Sequence, residues 1–221
     1  MIKPPGIIDN TIELPGRCYA IRMMPYEVDI ADIQDKWDQA YADAMKLIVD
    51  GNVDEGKEIL EELYRRKYNR AGHTLSYGYG AGWFGEPDPK KYLSLVYALV
   101  LKGYSAAFSD YGFCYDCRIG VKKSMRWALY WYRKAADYDD EAQNILGLCY
   151  EEGIGVLKDY EKAYYWFQLA VKNGAGACAE HNLARCFRLG RGISEDKEMA
   201  NKYEALAVKH GFHKKDKGIV I

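Results

Sequence analysis

Between Glu141 and Gly174 the apolar positions fall in the rhythm of two short helices. Ala142, Leu146, Gly147 and Tyr150 lie on one face of the first, Gly153-Ile154-Gly155-Val156 interrupts it, and Asp159 opens a second that carries Ala163, Trp166 and Ala170. Apolar residues three and four apart mark a helix with a single core-facing stripe. Neither stripe can be buried inside so short a unit, and the pattern therefore predicts a stack of similar helix-turn-helix units.

The neighbouring sequence repeats the pattern. Gly147, Tyr150, Gly155, Ala163, Trp166 and Ala170 have counterparts 35 residues earlier in Gly112, Tyr115, Gly120, Ala128, Trp131 and Ala135. At an offset of 37 in the other direction stand Ala184, Phe187, Gly192, Ala200, Tyr203 and Ala207, with Asp196 and Gly211 answering Asp159 and Gly174. A degenerate copy 36 residues before the Gly112 unit holds Ser76, Tyr79, Tyr92, Leu95, Leu99 and Gly103, and a further 36 back lie Gly56, Ile59 and Leu63. Small residues recur where helices must approach, aromatic ones where a gap must be filled. The predicted fold is all-α, with about five units near 32–68, 69–104, 105–139, 140–175 and 176–211, an irregular segment over 1–31 and a tail over 212–221.

The series Leu146-Gly147, Tyr150, Gly153, Gly155-Val156, Asp159, Lys162-Ala163, Trp166, Ala170 and Gly174 resembles the Sel1-like repeat, a relative of the tetratricopeptide repeat. The resemblance is specific over 106–211, weaker over 32–103 and absent before that. The Gly112 unit departs from it: Arg118 stands in place of the first loop Gly, Ser124 in place of the Asp and Trp127 in place of the Lys. Those departures bear on its loop rather than on the fold. The resemblance implies a right-handed α/α superhelix (a solenoid) that serves as a protein-binding scaffold or adaptor with no chemistry of its own.

Taken in order, the chain opens with Pro4, Pro5, Pro15 and Pro25, which forbid a continuous helix. Ile7-Ile8 and the alternation from Arg17 to Met23 fit short extended pieces packed on the first unit, or a partly ordered tail; both readings stand. Asp32 or Asp35 is placed to cap a helix running from about Ile33 to Val49, with Trp37, Ala40, Tyr41, Ala44 and Ile48 on its apolar side. Asp50-Gly51-Asn52 closes it and a second helix begins at Asp54. Gly80-Ala81-Gly82-Trp83-Phe84-Gly85 has the spacing of a dinucleotide-binding loop but lacks its context, a strand before and a helix directly after. A turn between paired helices is expected instead, with Asp88 capping the second helix and Trp83 and Phe84 plugging the core, the favoured reading, or forming an exposed contact. The tail from Gly211 to Ile221 reads as a frayed end, a capping strand or a partner-binding tip.

Composition narrows the function classes. Of 221 residues 49% are hydrophobic, enough for a continuous core, and 31 basic residues face 32 acidic ones. The total therefore carries no electrostatic footprint of a nucleic-acid or membrane-surface binder, although a local patch is compatible with it. The first residues lack the basic segment and apolar run of a secretory signal, and no apolar run approaches the ~20 residues that cross a bilayer. A soluble, cytoplasmic protein is expected.

Six cysteines raise two further hypotheses. Cys114, Cys149 and Cys186 occupy one position in three successive units, which reads as core rather than as a disulfide framework. The pair Cys114 and Cys117, and Cys178 with His181 one helical turn on, are weak zinc signals because neither is joined by a second pair. No metal or cofactor is expected. The sequence has no Gly-x-Ser-x-Gly elbow, no His-Glu-x-x-His and no P-loop, and its histidines stand apart at 73, 181, 210 and 213. No enzymatic activity is expected.

If the first helices of the units line a concave groove, three registers project into it. The position after Gly147 gives Tyr77, Phe113, Leu148 and Arg185; the position three before gives His73, Ser109, Asn144 and His181; the position four after gives Gly80, Asp116, Glu151 and Arg188. Such a groove has a greasy middle, an acidic strip and a basic end, and it suits a protein or peptide segment. A shift of one residue would instead turn Phe113 and Leu148 into the next unit, and this alternative stays open. The expected function is a non-enzymatic scaffold binding a protein partner, with neither nucleic acid nor membrane. Two other readings are an inhibitor or immunity-type protein that occludes a toxin, and a hydrolase of the cysteine-rich Sel1-like type, against which the missing cysteine spacing speaks.

Overall fold

In a computed structural model, residues 36–212 are described, and they form ten α-helices and no strand. They are α1 (Lys36–Val49), α2 (Val53–Arg65), α3 (Asn69–Ala81), α4 (Pro89–Leu101), α5 (Ala106–Cys117), α6 (Met125–Ala135), α7 (Asp140–Glu152), α8 (Tyr160–Asn173), α9 (Gly176–Leu189) and α10 (Lys197–Lys209). The expectations for the Pro-containing segment, for the caps Asp32 and Asp35 and for the tail beyond Phe212 lie outside the described residues. Two compact units are distinguished, one comprising 36–107 with 119–121 and the other 108–118 with 122–212.

In the first unit, the stripes of α1, α2 and α3 converge on Tyr41, Ala44, Met45, Leu60, Leu63, Ala71 and Leu75, all buried. The Tyr41 hydroxyl shares a buried hydrogen bond of 2.8 Å with the Thr74 hydroxyl, so the polar end of this core residue is not left unsatisfied. Trp83 and Phe84 pack half-buried against this core, as expected, and Phe84 meets Tyr79 edge-on at 5.2 Å. The glycine-rich stretch is the turn between α3 and α4. A helix precedes it, and Asp88 caps α4 by accepting from the backbone N–H groups of Lys90 at 3.1 Å and Lys91 at 3.0 Å.

The second unit shows why the repeat has its spacing. Ser124, Asp159 and Asp196 each cap the second helix of a pair, accepting from the N–H three residues on: Trp127 at 3.5 Å, Lys162 at 3.0 Å and Met199 at 2.9 Å. The N–H of each cap returns to the first helix, bonding the carbonyl of Tyr115, Tyr150 or Phe187 at 3.0, 2.9 and 2.9 Å. The loop that allows this return leaves the first helix through a left-handed residue: Gly153 at φ 72°, Gly190 at φ 61° and, in the remaining repeat, Arg118 at φ 61°. A side chain at such a φ costs ~1–2 kcal/mol, so Arg118 holds the loop geometry at some expense.

Packing within the pairs depends on a close approach. A Cβ on Gly147 would lie 2.5 Å from the ring of Phe167, so only glycine lets that ring close onto α7. On α8 the wholly buried residues are Ala163, Phe167 and Ala170, while Trp166 is half-buried. The gap-filling aromatic is expected at 166; both 163/166/170 and 163/167/170 follow one helical face, and it is the Phe167 ring that packs onto Gly147. The same offset holds on α6, where Tyr132 is buried and Trp131 half-buried. Cys114, Cys149 and Cys186 are buried on α5, α7 and α9 as core residues.

Candidate functional site

The residues read from the sequence as groove-lining fall into distinct surroundings. In the first unit Tyr77 of α3 is half-buried, with its ring edge-on to His73 at 4.9 Å. In the second unit Phe113 of α5 is half-buried, and Asp116, one turn further, is buried. On α7, Asn144, Leu148 and Glu151 share a face at spacings of four and three. Leu148 is half-buried and packs against the core formed by Phe167, Leu183, Cys186 and their neighbours. Asn144 is fully buried and accepts at its Oδ1 from Asn182 Nδ2 at 2.9 Å. Asp116, Asn144 and Glu151 are thus buried side chains beneath a surface, not groups projecting from it.

Glu151 is the centre of the arrangement. It is fully buried, yet both carboxylate oxygens are used: Arg185 Nη2 donates to one, and Arg191 Nη1 donates to the other at 2.9 Å. A buried carboxylate without such partners would be costly. The two guanidinium groups come from the C-terminal half of α9 and the loop after it, and both keep part of their surface in solvent. The hydrogen bond to Glu151 holds the Arg191 pKa above its ordinary value, in spite of partial burial. Arg191 also lies 5.2 Å over the Tyr160 ring, which further fixes its plane. Burial, reinforced by the Glu151 charge, pushes the neighbouring Cys186 thiol up to about 12.

A second cluster surrounds Glu204 of α10. His181 Nδ1 lies 3.0 Å from Glu204 Oε2, and Arg188 Nη2 donates to the same oxygen at 3.3 Å. Phe212 stacks on the His181 ring at 4.1 Å. Burial depresses the His181 pKa, outweighing the pull of Glu204 and helped by Arg185 and Arg188. Burial alone would raise Glu204, but His181 and Arg188 bring it below the usual carboxylate value. These two tendencies conflict if His181 is taken as charged. Burial favours the neutral ring, and a neutral ring faces Glu204 with its Nδ1–H, while Arg188 donates to the same carboxylate oxygen.

The structure therefore joins Glu151 with Arg185, and His181 with Arg188, from the expected set. Arg191, Glu204, Asn182 and Phe212 complete the clusters and were not read from the sequence. Only the spacing Arg185, Arg188, Arg191 hinted at the first of these. Among the described residues, no group of His, Cys, Asp and Glu side chains is placed to hold a metal ion, and no helix is long and apolar enough to cross a membrane.

Comparison with known proteins agrees with this architecture. The structure is similar to that of a Sel1 repeat protein from Oxalobacter formigenes, at 24% identity and a TM-score of 0.70, over 78% of this chain and 70% of that one. It is also similar to c5321, described as a protective antigen present in uropathogenic Escherichia coli strains displaying an SLR fold. That similarity has 27% identity and a TM-score of 0.64 and covers 71% of this chain and 33% of that one, so this chain spans about a third of that protein. No curated protein sequence matches the chain at a significant level. Residues 109–138, 140–174 and 179–212 match the Sel1 repeat family, so the second unit of this all-α repeat fold carries three successive Sel1 repeats.

Proposed function

We propose that the chain is a non-enzymatic interaction scaffold that holds a segment of a partner protein along α5, α7 and α9 of its second unit. Sel1 repeats generally serve protein–protein interaction. In this reading Phe113, Arg185 and Arg188 touch the partner, His181 lies at the edge, and Asp116, Asn144, Leu148 and Glu151 support the surface from beneath. Tyr77 is the residue of the same register in the first unit. The observation that carries the reading is the immobilisation of Arg185 by fully buried Glu151. An arginine that is held in place yet partly exposed loses little side-chain freedom on binding, and arginines of this kind are enriched among the residues that dominate interfaces.

The test is selection of a displayed random-peptide library on the purified chain, followed by affinity measurement of the selected peptides on Phe113→Ser/Arg188→Glu. These substitutions leave the Glu151 cluster intact, and circular dichroism checks that the fold is kept. Affinity lost by about tenfold or more, ~1.4 kcal/mol, supports the surface. Peptides that bind both proteins equally, or a library that yields no binder, overturn it.

A further inference from the structure

The balanced total charge conceals one strongly uneven stretch. From Arg118 to Lys134 the sequence RIGVKKSMRWALYWYRK holds six basic residues and no acidic one. Arg118, Lys122, Lys123, Arg126, Arg133 and Lys134 are all exposed, and none forms an ion pair with a carboxylate among the described residues. In the next repeat the segment carries its own acid, Asp159, which pairs with Lys162 at 2.7 Å. Here Ser124 and Trp127 stand at those two places, so the local acid is gone.

Aromatic rings lie among the cations. Trp127 is 37% exposed and Tyr130 42% exposed. Both are anchored from below: Trp127 stacks on Tyr115 at 6.3 Å, and Tyr130 meets Trp131 edge-on at 5.0 Å. Lys134 places its ammonium 5.2 Å over Tyr130 and 5.5 Å over Trp131, so it is held by rings rather than by an opposite charge. The outer face of α6, with Arg126, Arg133 and Lys134, and the loop leading into it, with Arg118, Lys122 and Lys123, form a wholly cationic surface set with two half-exposed aromatic rings.

We propose that this face is a docking surface for an acidic segment of a partner protein. Charge complementarity selects an anion, since six cations with no carboxylate partner attract an acidic occupant, repel a basic one and gain nothing comparable from a neutral one. Three chemistries supply extended anions, and the ring geometry distinguishes them. Trp127 and Tyr130 are inclined at 83°, so two nucleic-acid bases that stay stacked on each other cannot lie on both rings. Insertion at a lipid surface needs apolar side chains that project, whereas these rings are pinned onto Tyr115 and Trp131. Trp, Tyr and Arg held rigidly side by side are the residue types that anchor protein interfaces. The face uses a different helix from the contact residues proposed above and stands whether or not that reading holds.

The experiment is fluorescence anisotropy of a labelled peptide of alternating Glu and Tyr titrated with the full chain, at low and at raised salt. Poly-uridylate and phosphatidylserine-containing vesicles are run in parallel. Arg126→Glu/Arg133→Glu and, separately, Lys122→Glu/Lys123→Glu are the variants, because none of these four side chains has a buried partner and two independent pairs guard against a folding defect in either. The expected result is peptide binding that weakens with salt and falls about tenfold or more in each variant. Trp127→Ser should weaken binding by several-fold without changing its salt dependence. An absence of peptide binding, or equal binding by the wild type and both charge-reversed proteins, overturns the proposal. So does loss of RNA or vesicle binding in the variants while peptide binding is unaffected, which would assign the face to that other anion.

Discussion

Glu151 of α7, with no exposed surface, is held by the guanidinium of Arg185 on α9, the first helix of the following repeat. Removing the carboxylate leaves two arginines pointing into a site they were drawn to. Glu151→Ala is therefore expected to lower the unfolding free energy by about 3 kcal/mol, the low end for a broken buried pair because both arginines retain solvent. Urea denaturation measures it. A loss below about 1 kcal/mol would mean that water replaces the carboxylate.

Gly147→Ala forces a methyl to within 2.5 Å of the Phe167 ring. Stability should fall by about 1–3 kcal/mol, as for overpacked cores. Phe167→Leu opens a gap at the same place, so the double substitution should cost clearly less than the two single costs combined. Strict additivity in a double-mutant cycle would rule the contact out.

Acid should weaken the last repeat through His181 and Glu204. Both have folded pKa values below their unfolded ones, 6.5 and 4.5. Their contributions are complete above those unfolded values and are lost as pH falls through the folded ones, since the unfolded chain then binds more protons. Urea midpoints should thus decline from about pH 6.5 downward, first by His181 and then by Glu204. His181→Asn should flatten the first part of that decline and reduce the second, which Arg188 alone then sustains. An unchanged slope between pH 6.5 and 5 would refute the role given to His181.

Cys186 and Cys114 should be inert in the folded chain, because burial raises both thiols and leaves almost no thiolate at neutral pH. Cys178 is half-buried. Alkylation followed by peptide mass mapping should label Cys178 first and the other two only on unfolding. Labelling of Cys186 at the rate of Cys178 would contradict the packing of α9.

The helix pairs, the caps at Asp88, Asp159 and Asp196 and the buried cysteine register were all legible in the sequence. They are set by short-range chemistry: a cap needs its N–H three residues away, and a helical stripe needs a spacing of three or four. What escaped depends on rotations about a helix axis and on distant partners. Trp166 and Phe167 differ by one residue, a rotation of about 100°, and only packing decides which ring goes inside. Glu151 and Arg191 are 40 residues apart, and nothing local in either marks the other. The cations of α6 were visible throughout, but a whole-chain balance averaged them away.

The repeat that bears those cations is also the least regular of the three. Arg118, Ser124 and Trp127 stand where the following repeat has Gly153, Asp159 and Lys162. The loop still closes, with Arg118 accepting a left-handed backbone and Ser124 supplying a longer cap bond. Regular positions in a repetitive chain carry instructions for stacking and are interchangeable between copies. Information about a particular partner can reside only where one copy differs from the others. Restoring this repeat toward its neighbour with Arg118→Gly, Ser124→Asp and Trp127→Lys would yield a more uniform scaffold and blur the address written on it, since the exposed ring is lost and an acid returns among the cations.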